Sequence, residues 1–263
     1  MRLEISCSKC SEQIALGESG VVNSWVYSVS DGGIYEFECP QGHRTTTVLR
    51  TPKHEVLYAI GANAYLDGYF RDAIASFASA LERYYEFALK VISRHKDIVP
   101  ATFEKTWGFM QNQSERQYGA FITVWMMETG KPYTALSKTK INYWSKLRNG
   151  VIHQGKIPTP QECLEYGQYV VDIVAPIEKI LRNEYAVAHK DECFAHFRDE
   201  SSKRAAPITA LSIFSVLDAA LESDDNKLDP IIARLIEIRV RKGIPSIGVE
   251  FLKTTTVAHL VKP

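Results

Sequence analysis

Two sets of residues in this chain have types and spacings suited to chemistry. Cys7-Ser8-Lys9-Cys10 and Cys39-Pro40-Gln41-Gly42-His43 are two pairs of soft or borderline ligands, each on a tight turn that can aim two side chains at one ion. Tetrahedral zinc takes four such donors, and a full set of protein ligands leaves no open position. Cys7, Cys10, Cys39 and His43 therefore predict a structural Zn2+ site. The second set is Arg148, Asn149 and His153, in the stretch TKINYWSKLRNGVIHQ from Thr139 to Gln154. Helical steps of about 100° line up Ile141, Trp144, Leu147, Val151 and Ile152, with Arg148 inside the same apolar stripe. A guanidinium there is costly unless it meets an anion or lines a wet interface. His153 lies about 140° from Arg148 around an ideal helix, so the two converge only if the last turn frays or a second protomer brings its own copy across a two-fold axis. The dimer is the favoured arrangement.

The elements that must position these residues follow from periodicity. Residues 1–50 read as short strands: Val21 to Ser30 is apolar and β-branched, Asp31-Gly32-Gly33 signals a turn, and Ile34 to Cys39 alternates apolar with acidic. So small a β unit has too little core to fold alone, and a bound metal supplies the missing stability. From His54 to about Tyr185 the pattern is helical. Val56 to Leu66 forms a helix closed by Asp67-Gly68, and Phe70, Ile74, Phe77, Leu81, Tyr84, Ala88 and Ile92 mark one long amphipathic helix. Further helices are expected over Thr102–Arg116 and Tyr118–Thr129, stopped by Gly130-Lys131-Pro132. The helix carrying Arg148 starts near Ser137 and ends around Gln154-Gly155, and Thr159-Pro160-Gln161-Glu162 caps the next, with a kink anticipated at Pro176. Residues 187–263 show a polar stretch at Asp199–Arg204, an apolar segment at Ile208–Leu221, and a helix from Asp229-Pro230 to Gly243.

The expected organisation is thus mainly α: a β zinc ribbon (1–50), a helical-bundle domain (51–186) and a C-terminal α(+β) extension (187–263) without an assigned role. With 31 basic and 31 acidic side chains, the chain has no overall field to draw it onto long nucleic acid, so any RNA contact is local. The N-terminal segment lacks the pattern of a signal peptide, and no apolar window approaches the roughly 20 residues that span a bilayer. The reading places the protein in the cytoplasm, with no membrane partner. Five cysteines, an odd number, argue for metal binding over a disulfide framework. Cys163 and Cys193 have no paired spacing and read as packed or inert thiols, and His54, His95, His189, His196 and His259 read as surface or helix-end residues.

Arg148-Asn149-Gly150-Val151-Ile152-His153, at the end of an amphipathic helix and followed by Gly155 and a capped new helix, resembles the motif of the HEPN superfamily, of the Arg-x4-His ribonuclease type. The resemblance covers about His54 to Tyr185 and includes Leu81-Glu82-Arg83-Tyr84-Tyr85-Glu86 in the long helix. It implies a homodimeric endoribonuclease whose two motifs form one cleft, often in toxin or anti-phage defence systems. Such cleavage needs no metal: a base takes the 2′-hydroxyl proton, the oxygen attacks phosphorus, and an acid protonates the leaving 5′-oxygen. His153 suits either role, Arg148 would bind the phosphate, Asn149 could orient either, and Glu82 is a candidate to hold Arg148 or His153 in place. A catalytically silent nucleotide- or RNA-binding or protein-interaction module is the rival reading. A regulatory protein partner is also expected, since the ribbon suits protein docking as well as RNA and the extension could act as sensor or inhibitor. A tetratricopeptide-like stretch, Gly61–Ile74, has no second copy and does not make a solenoid.

Overall fold

The computed structural model describes residues 1–17, 21–133, 136–223, 225–244 and 246. Along the chain these form β1 (Arg2–Ser6), α1 (Ser8–Ala15), β2 (Ser24–Ser28), β3 (Ile34–Glu38) and β4 (Arg44–Leu49). Then come α2 (Lys53–Leu66), α3 (Phe70–His95), α4 (Pro100–Trp107), α5 (Ser114–Thr129), α6 (Lys138–His153) and α7 (Pro160–Glu184). The chain continues with α8 (Ala186–Cys193), α9 (Ala195–Ser202), β5 (Thr209–Leu211), α10 (Val216–Leu221) and α11 (Asp229–Arg241). The fold is mainly α with a small β region, and no helix of the described residues is long and apolar enough to cross a membrane.

The chain forms two compact units. One comprises Met1–Pro52 and Lys190–Phe214; the other comprises Lys53–His189 and the described part of Ser215–Pro263. The stretch expected as a single C-terminal extension is divided between them. The reason is local: Thr209–Leu211 supplies a strand, which completes a sheet, whereas α10 and α11 are amphipathic and bury Leu217, Ile232 and Leu235 among helices.

In the first unit β1 pairs antiparallel with β2, Ile5 opposite Trp25, and its alternating pattern buries Leu3 and Ile5 on one face. The β3–β4 hairpin places Phe37 opposite Thr45, and β5 adds to β4 in parallel, with the Thr47 and Thr209 hydroxyls 2.8 Å apart. Residues 8–15, expected as part of a strand-only segment, are helical: Cys7 takes an extended N-cap conformation and its carbonyl receives the Ser11 N–H. The polar stretch at Asp199–Arg204 likewise falls largely in α9, where Glu200 pairs with Lys203 and Arg204 at helical spacing.

The second unit is built around α3, which packs against α2, α5, α6 and α7. Of the apolar positions that the periodicity marks, all are buried except Phe70, which is half-buried. Two glycines let neighbouring helices close on Phe77. A Cβ on Gly61 would stand 2.7 Å from the Phe77 ring, and one on Gly167 would stand 2.7 Å from Leu228 and 3.3 Å from Phe77. The expected helix over Thr102–Arg116 is interrupted. The chain turns at residues 108–113 and α5 begins at Ser114, with the buried Gln117 amide donating to the Gln111 carbonyl at 2.7 Å. The capping box at Thr159 is formed with Glu162, and α7 runs unbroken through Pro176.

Candidate functional site

In the first unit the Cys7-x-x-Cys10 pair spans the start of α1, and Cys39 and His43 flank the β3–β4 turn. Cys7, Cys10 and Cys39 are buried, His43 is half-buried, and one donor atom from each lies within 4.8 Å of every other. Cys10 Sγ stands 3.7 Å from Cys39 Sγ and 3.5 Å from His43 Nδ1, and Cys7 Sγ stands 3.8 Å from that nitrogen. Trp25 and Phe37 pack around the cluster with ring centroids 4.4 Å apart and shield it from water. Backbone bonds shape the turn: Gly42, in the left-handed conformation at φ 78°, donates to the Cys39 carbonyl, and Cys39 donates to the His43 carbonyl.

The thiols oppose one another. Burial, reinforced by Cys7 and Cys39, pushes Cys10 up to about 12. Burial also resists ionisation of Cys7, but the Cys10 backbone N–H and the Thr45 hydroxyl outweigh it and bring Cys7 down to about 6. A cation at the centre removes that opposition by charge. This cluster could hold a metal ion, and the sequence spacing had placed all four of its residues.

In the second unit α6 begins at Ser137, whose hydroxyl accepts the Lys140 N–H, and buries Trp144, Leu147, Gly150 and Val151. Arg148 lies beside that stripe with its side chain 19% exposed, and it is paired. One guanidinium nitrogen donates to Glu82 Oε1 on α3 at 2.8 Å, and the other donates to the Asn149 carboxamide oxygen at 2.8 Å. The structure therefore brings Arg148, Asn149 and Glu82 together. It does not bring His153 to them: His153 is exposed at the last position of α6, with no side-chain hydrogen bond among the described residues.

Arg148, Asn149 and Glu82 line a half-open pocket of about 120 Å³ between α3, α5, α6 and α7. Its walls are largely aromatic, with Tyr85, Tyr118, Tyr133, Tyr166 and Tyr169 all contributing. Burial raises every one of these phenols, Tyr166 further through Tyr169 and Tyr169 further through Tyr118, so the hydroxyls stay protonated donors. Sequence reasoning missed this ring of tyrosines. The available signal was Tyr166 and Tyr169, one turn apart on the same helix face, and Tyr85 at helical spacing from Leu81.

A second polar cluster also escaped the sequence reading. Glu178 is 5% exposed and accepts from Tyr84 (2.9 Å), Arg182 (2.8 Å) and His189 (2.7 Å). Arg182 pairs with Asp218 on α10 as well. Burial opposes the Glu178 charge, but the bonds from His189 and Arg182 prevail and hold it at about 2. His54, expected at the surface or a helix end, is buried against the Tyr84 and Phe87 rings at 5.2 and 4.7 Å, and desolvation lowers it to about 4. Glu55, next to it, is raised to about 7 by burial and the nearby Asp218. His189 likewise faces Phe87 and Glu178 in the interior. His259 lies outside the described residues. Cys163 fits the expectation of a packed thiol: it donates to the Phe70 carbonyl and burial pushes it up to about 12.

Comparison of the chain with protein-family models, curated proteins and solved structures finds no match in any of the three.

Proposed function

We propose that the chain is a HEPN-type endoribonuclease, acting as a homodimer and cleaving RNA by metal-independent 2′-hydroxyl transesterification. The observation that carries this reading is the setting of Arg148. Its guanidinium is oriented by Glu82 from a neighbouring helix and by Asn149, at the wall of a pocket and only half-buried. A guanidinium so held is preorganised to grip a phosphate and to stabilise the added negative charge of the transition state. Glu82 acts as its positioning residue. His153, exposed at the end of the same helix, is available to move protons. On an ideal helix it stands about 7.5 Å along the axis and about 140° around from Arg148. A second protomer is therefore assigned to complete each cleft.

In the other unit we assign zinc as the ion of Cys7, Cys10, Cys39 and His43. Tetrahedral zinc with bonds of about 2.3 Å to sulfur and about 2.0 Å to nitrogen spaces its donors about 3.5 to 3.8 Å apart. Three of the separations, 3.5, 3.7 and 3.8 Å, match, and all lie within 4.8 Å. Four protein ligands make the site structural.

The test is incubation of the wild type and His153→Ala with mixed RNA in EDTA, followed by analysis of fragment ends. Fragments with 2′,3′-cyclic phosphate and 5′-hydroxyl ends from the wild type alone support the reading. Equal cutting by both proteins removes His153 from the mechanism. A rival draws on the position of His153 outside the pocket that Arg148 lines: a silent RNA- or nucleotide-binding module. Folded dimers that bind RNA through Arg148 without cutting it would establish that rival.

A further inference from the structure

The tyrosine-walled pocket has a composition that the cleavage chemistry does not require. Phosphate binding and proton transfer call for Arg148 and His153, whereas the pocket extends inward from Arg148 among aromatic rings and carboxylates. Its volume, about 120 Å³, is close to the roughly 150 Å³ cavity that holds a benzene ring in an engineered protein core. The six-membered ring of a purine, which carries its donor edge, fits it, and the pocket is open enough for the five-membered ring to lie at its mouth. Tyr85 and Tyr118 stand 5.6 Å apart on one side, and Tyr166 and Tyr169 stand 5.5 Å apart on another. Aromatic walls of this kind stack planar heterocycles.

The polar groups favour a particular edge. Glu82 has one oxygen on Arg148, while Glu115 accepts the Ser114 hydroxyl at 3.2 Å. Ser145 and Asn149 complete the polar lining. Two carboxylates against one guanidinium make an acceptor-rich site that seeks N–H donors. Guanine offers adjacent donors, the ring N1–H and the exocyclic amine, to one carboxylate. Uracil sets its single N–H between two carbonyls, which the carboxylates repel. An organic cation would satisfy the tyrosines and glutamates too, but the Arg148 guanidinium in the wall opposes a second positive charge.

We infer that this pocket is a base-recognition subsite that stacks one nucleobase between its tyrosines and selects guanine through Glu82 and Glu115. It deepens the ribonuclease reading by naming the nucleotide held beside the scissile phosphate, and it rests on that reading only for the placement of the phosphate at Arg148.

The experiment is calorimetric titration of the full-length protein with guanosine monophosphate, uridine monophosphate, ribose 5-phosphate and choline, without any cleavage step. Guanosine monophosphate is expected to bind at least about tenfold more tightly than uridine monophosphate, the scale of one well-placed base contact. Tyr118→Ala should weaken it by about 5- to 150-fold, the range of a lost stacking partner. Glu115→Gln, at an exposed position that tolerates substitution, should narrow the guanine preference while thermal unfolding stays unchanged. Equal binding of the two nucleotides or of ribose 5-phosphate would reduce the site to a phosphate grip and overturn the proposal. Choline binding, or no binding at all by folded protein, would overturn it too. Guanine-selective binding by a protein that never cleaves RNA would sink the ribonuclease reading and leave the subsite standing. Cleavage with no preference for the neighbouring base would do the reverse.

Discussion

In residues 1–52 three cysteines and a histidine that could hold a metal ion stand at the centre, where the helical unit has a column of aromatic and aliphatic side chains. Apart from those cysteines, the buried apolar side chains of this stretch are Leu3, Ile5, Tyr35, Val48 and Leu49. In the helical unit α3 by itself buries thirteen residues. Small units expose too much surface for apolar burial alone to offset chain entropy, and the proposed metal would supply a cross-link in its place. The two units accordingly have different weak points: four donor atoms in one, and the fit of side chains such as Phe77 in the other.

The sharpest way to break the comparison is to remove a ligand. Cys10→Ser forfeits much of a structural metal's apparent binding energy, on the order of 10 kcal/mol. Amide resonances of residues 1–52 should collapse to unfolded positions and that segment should become protease-sensitive, while the helical circular dichroism of residues 53–189 persists. Retained dispersion in the β segment would show that its apolar residues suffice without the ion.

Phe77→Ala should cost about 3–5 kcal/mol, because Gly61 and Gly167 have drawn two helices onto the ring and cannot collapse fully into the space it leaves. Urea denaturation monitored by tryptophan fluorescence measures it. A cost below about 1 kcal/mol would mean that the helices simply close over the gap.

The third effect is smaller and depends on pH. Glu178 is depressed from 4.5 to about 2 in the folded protein, so its contribution is present above pH 4.5 and disappears as pH falls through about 2. A shift of this size corresponds to about 3–4 kcal/mol. His54 is lowered from 6.5 to about 4; the unfolded chain takes up that proton first, so stability also declines as pH falls from 6.5 towards 4. Glu55, raised from 4.5 to about 7, takes up its proton in the folded state first and offsets the His54 loss over the same range, so unfolding free energy measured from pH 7 to pH 2 should change little down to pH 4.5 and drop below it. Glu178→Gln should lower stability at pH 7 and flatten the drop below pH 4.5. A variant curve parallel to the wild type throughout would show that Glu178 is not the titrating group.

Much of this was legible in the chain itself, and the parts that were share a physical basis. The four residues that could hold a metal, the α3 face, the left-handed Gly68 turn, the Ser137 cap and the Thr159 capping box depend on neighbours within a few residues, where helical period, turn chemistry and ligand spacing act directly. The amphipathic stripe holding Arg148 was equally local. Its partner was only a candidate there: Glu82, named to hold either Arg148 or His153, precedes it by 66 positions, and the packing of α6 on α3 makes the 2.8 Å contact with Arg148.

The same limit explains the rest. The tyrosine pocket draws on α3, α5, α6 and α7, the buried Glu178 cluster on α2, α3, α7, α8 and α10, and β5 finds β4 across 162 positions. His54 looks like a surface residue in the sequence because nothing near it in the chain reports Tyr84 and Phe87 above its ring. Sequence alone determined which residues could ligate, cap, turn and face a core. Tertiary structure decided which of them meet, because burial and pairing are properties of surfaces brought together from distant parts of the chain.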